Sequence, residues 1–212
     1  MAKIAVVSDQ FSLPGFELPA RPLRRMRASH AAVPRHGLFF GVLPASDDRP
    51  RIEAAVAPLR RRFGATKPEV EAARLHITCC DLGGFAEEPP LALTDAAIVI
   101  AIAASLVLPS FEIVFERVMR FKGNRAVVLL ERAGVTPLTV FRDALDQALI
   151  RARVPTNLVS TPHMTLGYGG DAVLETLAEP IRWQAVDFVL VDSHVHRHLH
   201  VHRGRWPLVV QR

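Results

Sequence analysis

The chain carries the triplet His76-Ile77-Thr78 and, further along, His163-Met164-Thr165, each inside a short apolar stretch. A histidine and a hydroxyl two residues apart share one face of a strand, because side chains alternate across the backbone. Leu75, Ile77 and Cys79 can then pack on the opposite face of the first copy, and Pro162, Met164 and Leu166 on that of the second. Two such strands set side by side gather two imidazoles and two hydroxyls around one shared cleft. That set suits phosphodiester cleavage, in which one group takes a proton from the attacking oxygen and another protonates the leaving oxygen. Imidazole performs both tasks near neutral pH. The threonine hydroxyls can donate to the non-bridging phosphate oxygens, whose charge persists through the transition state. Nothing in this chemistry demands a metal. One such triplet alone is an ordinary strand fragment, with a satisfied or exposed histidine; its repetition in matching contexts points to a site.

The elements that must position these residues are legible as alternating strand and helix signals. Gly37 to Leu43 reads as a strand, and Asp47 or Asp48 stands where it can cap a helix running to about Phe63. Arg74 to Leu82 makes a second strand, punctuated by Gly83 and Gly84. A helix from about Leu91 to Leu106 precedes strands at Phe111 to Arg120 and Ala126 to Leu130, with Lys122, Gly123 and Asn124 at the hairpin between them. The pattern then repeats: a helix from Pro137 to Arg151, a strand at His163 to Tyr168, and later strands at Asp187 to Val191 and Trp206 to Val210. Strands interleaved with three helices and partly joined by short turns predict an α+β fold with antiparallel sheets.

At 212 residues and 50% hydrophobic, the chain can bury an ordinary core. Its longest apolar run, Ala96 to Leu108, is too short to span a bilayer and reads as a buried helix. Asp9, Pro14 and Glu17 interrupt the segment where a secretory leader would be apolar. The only cysteines, Cys79 and Cys80, are adjacent, which disfavours a disulfide between them and suggests reduced thiols. These features lead us to expect a cytoplasmic protein. The net charge is +5, but residues 1 to 35 hold Lys3, Arg21, Arg24, Arg25, Arg27 and Arg35 against Asp9 and Glu17, or +4 of that total. The body is therefore close to neutral, and basicity alone does not identify an RNA groove. With Pro14, Pro19, Pro22 and Pro34 among those arginines, residues 1 to 35 are expected to form a flexible basic extension, and residues 36 to 212 the folded unit.

Beyond the paired triplets, quoted as LHITCCDLGGF and PHMTLGYGG, the opening GLFFGVLP and the closing DFVLVDS and RWPL resemble the two-histidine phosphoesterases. Within them the likeness is to the bacterial 2'-5' RNA ligase-like group that includes RNA 2',3'-cyclic phosphodiesterases, over roughly residues 37 to 212. The resemblance implies His76 and His163 as the catalytic pair and Thr78 and Thr165 as the phosphate-binding pair; on the residue chemistry no cofactor or metal is expected. It implies two similar lobes of antiparallel sheet with flanking helices, related by a pseudo-twofold axis and separated by a cleft. The implied substrate is RNA with a 2',3'-cyclic phosphate end, or a cyclic nucleotide, opened to a 2'-phosphate, with reversible 2'-5' ligation as a possible companion activity. Another small cyclic phosphate, a 2'-5' linked oligonucleotide, or a role as a non-catalytic RNA-binding module are the alternatives. This chain departs from the family at Cys79, where a large aliphatic residue is usual, and at His200, where an aromatic residue often precedes the final tryptophan.

Other signals carry less. His194, His196, His198, His200 and His202 would form a one-sided metal-binding ladder on an unbroken strand, but a hairpin between Ser193 and His200 is expected to split them. Gly167, Gly169 and Gly170 lack the spacing and lysine of a phosphate-binding P-loop and read as turn residues. Cys79 and Cys80 have no second cysteine pair to complete a metal site.

Overall fold

The computed structural model describes residues 34–65, 71–159, 161–170 and 174–210. Residues 1–33 of the expected extension lie outside the described residues. Arg35 already belongs to the folded unit, because its amide donates to the Phe85 carbonyl and its carbonyl accepts from Val195.

In chain order the strands are β1 (His36–Val42), β2 (Ile77–Phe85), β3 (Phe111–Arg120), β4 (Ala126–Leu130), β5 (Asn157–Leu158), β6 (Met164–Tyr168), β7 (Leu174–Ala185), β8 (Asp187–His194) and β9 (Leu199–Pro207). Three α-helices accompany them: α1 (Arg49–Arg62), α2 (Leu91–Ser105) and α3 (Pro137–Arg151). The strands form one sheet in the order β7-β3-β4-β6-β2-β1-β8-β9, with β5 pairing β2. Every pairing between these strands is antiparallel. The expected α+β class holds. The two lobes are the two halves of this order, four strands on either side of the β6–β2 seam, fused into one continuous open sheet.

The helices start and stop for local reasons. Thr136 caps α3 in a capping box: its hydroxyl accepts from the Thr139 amide while Thr139 accepts from the Thr136 amide, and Pro137 fills the first turn without needing a partner. Asp48 stands at the N-cap of α1 but makes no capping bond, and instead pairs with Arg51 at 2.7 Å. All three helices bury their apolar residues on one face of the sheet, with Ile52 and Val56 of α1, Ala97 and Ala101 of α2, and Leu138 and Leu145 of α3 joining Ile77 and Met164 in the main core. The opposite face carries two small apolar clusters, one in each half. Phe39, Leu43, Val189 and Val191 form the first; Ala126, Val128 and Leu130, flanked by Met119, Phe121 and Tyr168, form the second.

Three expectations need correction. Gly83 and Gly84 do not end β2; the strand runs through them to Phe85, with Gly83 at φ +123, a conformation a side chain would disfavour. Arg74 is not in the strand but closes a 3-10 turn, Ala72–Arg74. The final strand is Leu199–Pro207 rather than Trp206 to Val210, so most of the histidine tract lies on β8 and β9 around a turn at Val195–Arg197. The split of the ladder by a hairpin is observed.

Candidate active site

The seam between the halves is where both triplets meet. Ile77 of β2 pairs with Met164 of β6 in antiparallel register. Continuing that register by one residue in each direction brings the backbone of His76 level with Thr165 and that of Thr78 level with His163. Ile77 and Met164 are fully buried toward the helices. Alternation therefore sends all four polar side chains to the helix-free face, where all four are half-buried. The neighbouring strands agree, since Thr165 pairs with Val128 and Thr78 with Gly41, and Val128 belongs to a cluster of that same face.

Both imidazoles are held the same way. His76 Nδ1 lies 2.7 Å from the Arg74 carbonyl and His163 Nδ1 lies 2.7 Å from the Thr161 carbonyl, in each case two residues back along the chain. A carbonyl can only accept, so each Nδ1 is the N–H donor. The Nε2 of each neutral ring is then left with its lone pair. An aromatic side chain braces each ring from its own half. Phe39 stacks on His76 with centroids 5.0 Å apart, and Phe121 meets His163 edge-on at 4.8 Å. The hydroxyls of Thr78 and Thr165 make no hydrogen bond to another described residue, which leaves them available to a ligand.

Burial lowers the His76 pKa to about 4, helped by the charge of Arg74 and by His163, against the opposing hydrogen bond to the Arg74 carbonyl. Burial also lowers that of His163, where the Arg142 guanidinium adds to the effect and the bond to Thr161 opposes it. Near neutral pH the empty site thus holds two neutral imidazoles. A phosphate anion placed between them reverses part of this shift, because a nearby opposite charge favours the protonated form. The arrangement can therefore take up one proton with its ligand and hold one acid and one base on either side of it.

Two features escaped the sequence. His200, read in sequence as part of the split histidine tract, packs edge-on against His76 with centroids 5.0 Å apart and also meets Phe39 at 5.8 Å. Burial, His76 and Arg74 together hold its pKa down to about 3. The position is visible in sequence as a replaced aromatic, but its contact with His76 depends on the β8–β9 register, which sets His200 opposite Ser193. Arg60 and Arg142 are the other feature: both are buried and reach motif-strand carbonyls. The cysteines take no part, since burial raises the Cys79 pKa strongly and that of Cys80 to about 12, so neither offers a thiolate. Gly167 is a packing residue rather than a phosphate cradle: a Cβ there would lie 2.4 Å from the Ala65 carbonyl oxygen.

Among the described residues, no helix is long and apolar enough to cross a membrane. Comparison with known proteins matches the geometry. The LigT of E. coli, solved with 3'-AMP, superposes with a TM-score of 0.64 at 20% identity, covering 83% of this chain and 99% of that one. LigT solved with NADP+ gives 0.63 at 21% identity over 83% of this chain and 99% of LigT. TT0787 of Thermus thermophilus gives 0.61 at 16% identity over 83% of this chain and 100% of that one. At these identities the structures establish a shared fold. No curated protein sequence matches. Residues 47–201, which span both triplets and the seam that joins them, match the profile of the 2'-5' RNA ligase superfamily, and the chain belongs to that family.

Proposed function

We propose that this protein hydrolyses 2',3'-cyclic phosphate ends of RNA or nucleotides to 2'-phosphates, with His76 and His163 as the acid–base pair. The observation that carries this is the matched tethering of the two rings, each with Nδ1–H donated to a carbonyl two residues back, on either side of the seam where Ile77 pairs with Met164. The Nε2 of one histidine takes a proton from water as its oxygen attacks phosphorus. The other, protonated when the anionic substrate binds, gives its proton to the departing 3' oxygen. The P–O3' bond breaks, and the product carries a 2'-phosphate and a 3'-hydroxyl. Thr78 and Thr165 donate to the two non-bridging oxygens throughout. With a 5'-hydroxyl in place of water as the attacking oxygen, the same exchange makes a 2'-5' linkage with each histidine in the same role, and the back reaction, attack of the 3'-hydroxyl on that linkage, exchanges the roles.

Proton transfer and charge stabilisation are both supplied by side chains here, so the proposed reaction uses no metal. The substrate preference rests on membership of the 2'-5' RNA ligase superfamily and on the likeness to LigT, a protein solved with 3'-AMP. The test is an assay of 2',3'-cyclic mononucleotides and of an oligoribonucleotide with a cyclic phosphate end, in the presence of EDTA, with phosphate position identified in the product. A 2'-phosphate is expected. A 3'-phosphate product, or turnover lost to EDTA and restored by zinc, contradicts the mechanism; binding of the oligonucleotide without turnover favours a non-catalytic RNA-binding role.

A further inference from the structure

We propose that His36, Asp192 and His194 form a binding site for one divalent transition metal ion of the zinc class, on the sheet face opposite the histidine pair. The β1–β8 register sets His36 opposite His194 and Leu38 opposite Asp192. Leu38 belongs to the main core, so all three ligands fall on the helix side. His36 Nδ1 lies 2.8 Å from Asp192 Oδ1, and His194 Nε2 lies 3.6 Å from Asp192 Oδ2. One ligand atom from each residue lies within 4.8 Å of the others. Zinc bonds to imidazole and carboxylate of about 2.0–2.2 Å put adjacent ligands of a tetrahedron roughly 3.3–3.5 Å apart. The 2.8 Å between His36 Nδ1 and Oδ1, and the 4.8 Å within which one ligand atom of each residue lies, stand on either side of that spacing, so side-chain movements complete the set.

His194 Nε2 is buried and has no hydrogen-bond partner among the described residues, a cost that a metal bond removes. Asp192 is fully buried, and its carboxylate accepts from Arg203 and contacts His36 Nδ1. Arg203 donates to Asp192 Oδ2 at 2.7 Å, which leaves Oδ1 to the metal and fixes the carboxylate from outside. Two nitrogens and one oxygen suit zinc, nickel or cobalt, with water in the fourth position. Metal uptake displaces the proton His36 Nδ1 shares with Oδ1. The site ties the start of β1 to the end of β8. Of the five-histidine tract only His194 reaches it; His196 and His198 are exposed at the turn.

The experiment is calorimetric titration of the chelator-stripped full chain with zinc chloride, with the visible spectrum of the cobalt form as a second measurement. One ion per chain is expected, with binding at least about tenfold weaker in His36→Ala and in His194→Ala. Binding should be unchanged in the double variant His196→Ala with His198→Ala. Arg203→Gln should bind more tightly, since a fixed cation beside the carboxylate is removed. Should either ligand variant fail to fold, the Arg203→Gln titration and the cobalt spectrum decide, a four-coordinate band supporting the site and a hexa-aquo-like spectrum overturning it. No saturable zinc binding by the unaltered chain, or binding that disappears with His196 and His198, overturns the proposal.

Discussion

Arg60 of α1 and Arg142 of α3 hold equivalent carbonyls on opposite sides of the seam. Arg60 Nε donates to the Leu166 carbonyl at 2.9 Å, and Arg142 Nε donates to the Cys79 carbonyl at 3.3 Å. Each carbonyl stands three residues beyond the histidine of its triplet. The helix that follows β1 thus clamps β6, and the helix that follows β4 clamps β2. Arg142 also donates to the Val159 carbonyl and Arg60 to Glu53, which compensates both buried cations. The two motif strands share a single paired position, Ile77 with Met164, so these crossed arginines carry much of their relative placement.

From this clamp, Arg142→Met is expected to lose about 1–3 kcal/mol for each buried carbonyl it leaves unpaired. Arg60→Met should lose a comparable amount. Urea denaturation measures the loss, and hydrolysis by the still-folded variants should fall as the seam loosens. Wild-type stability in both variants contradicts the clamp.

The lowered pKa values of His76 and His163 fix the sign of the pH–rate profile. The proposed mechanism needs one protonated and one neutral imidazole in the free protein, and burial lowers both below the ordinary histidine value of 6.5, His76 to about 4. The profile of kcat/KM, which reports free-enzyme groups, should be bell-shaped with its optimum below pH 6.5. The limbs belong to the pair rather than to either ring. The kcat profile should lie at higher pH, because the bound anion raises both values. Arg74→Met removes a charge that lowers His76, so it should move the kcat/KM profile upward. A shift to lower pH contradicts the electrostatic account.

His200 gives a stability test. Its folded-state pKa of about 3 lies below the ordinary 6.5, so between those values the unfolded chain binds a proton that the folded chain does not. Stability is therefore lost as pH falls through that window. His200→Phe keeps an aromatic edge against His76 and removes this contribution. Its melting temperature should fall less than that of the parent between pH 6.5 and pH 4. Equal slopes in both proteins contradict the assignment.

Much of this architecture is written locally. The α3 span follows from Thr136, Pro137 and the apolar spacing of Leu138, Phe141, Leu145 and Leu149, and the observed Pro137–Arg151 coincides with it. Strand β3 falls where its alternation places it, and β4 where its unbroken apolar run does. Strand β7 escaped because it lies at the sheet edge: from Leu174 to Pro180 it has no fully buried residue, Leu177 only partly packs on the core, and Ile181, Trp183 and Ala185 are its buried positions. Pro180 further masks it, and is tolerated because an edge strand has amides that need no ladder partner. The paired triplets were legible because each is local. The arginine clamps, His200 beside His76, and the meeting of His36 with Asp192 were not, since each depends on tertiary register between residues far apart in sequence or between strands paired across a turn.

The central claim is that His76 and His163 serve one proton-transfer cycle. Single-turnover hydrolysis of a 2',3'-cyclic nucleotide by His76→Ala, His163→Ala and the double variant tests it most directly, with melting curves of all three as the folding control. Both side chains are half-buried on the helix-free face, outside the main core, so truncation should leave the thermal transition near that of the parent. Each single variant should lose about a hundred- to ten-thousandfold in rate. Groups that act as a unit do not add, so the double variant should be only slightly slower than the slower single. A folded single variant that hydrolyses at nearly the parent rate, or a double variant whose loss is the product of the two single losses, contradicts the paired mechanism.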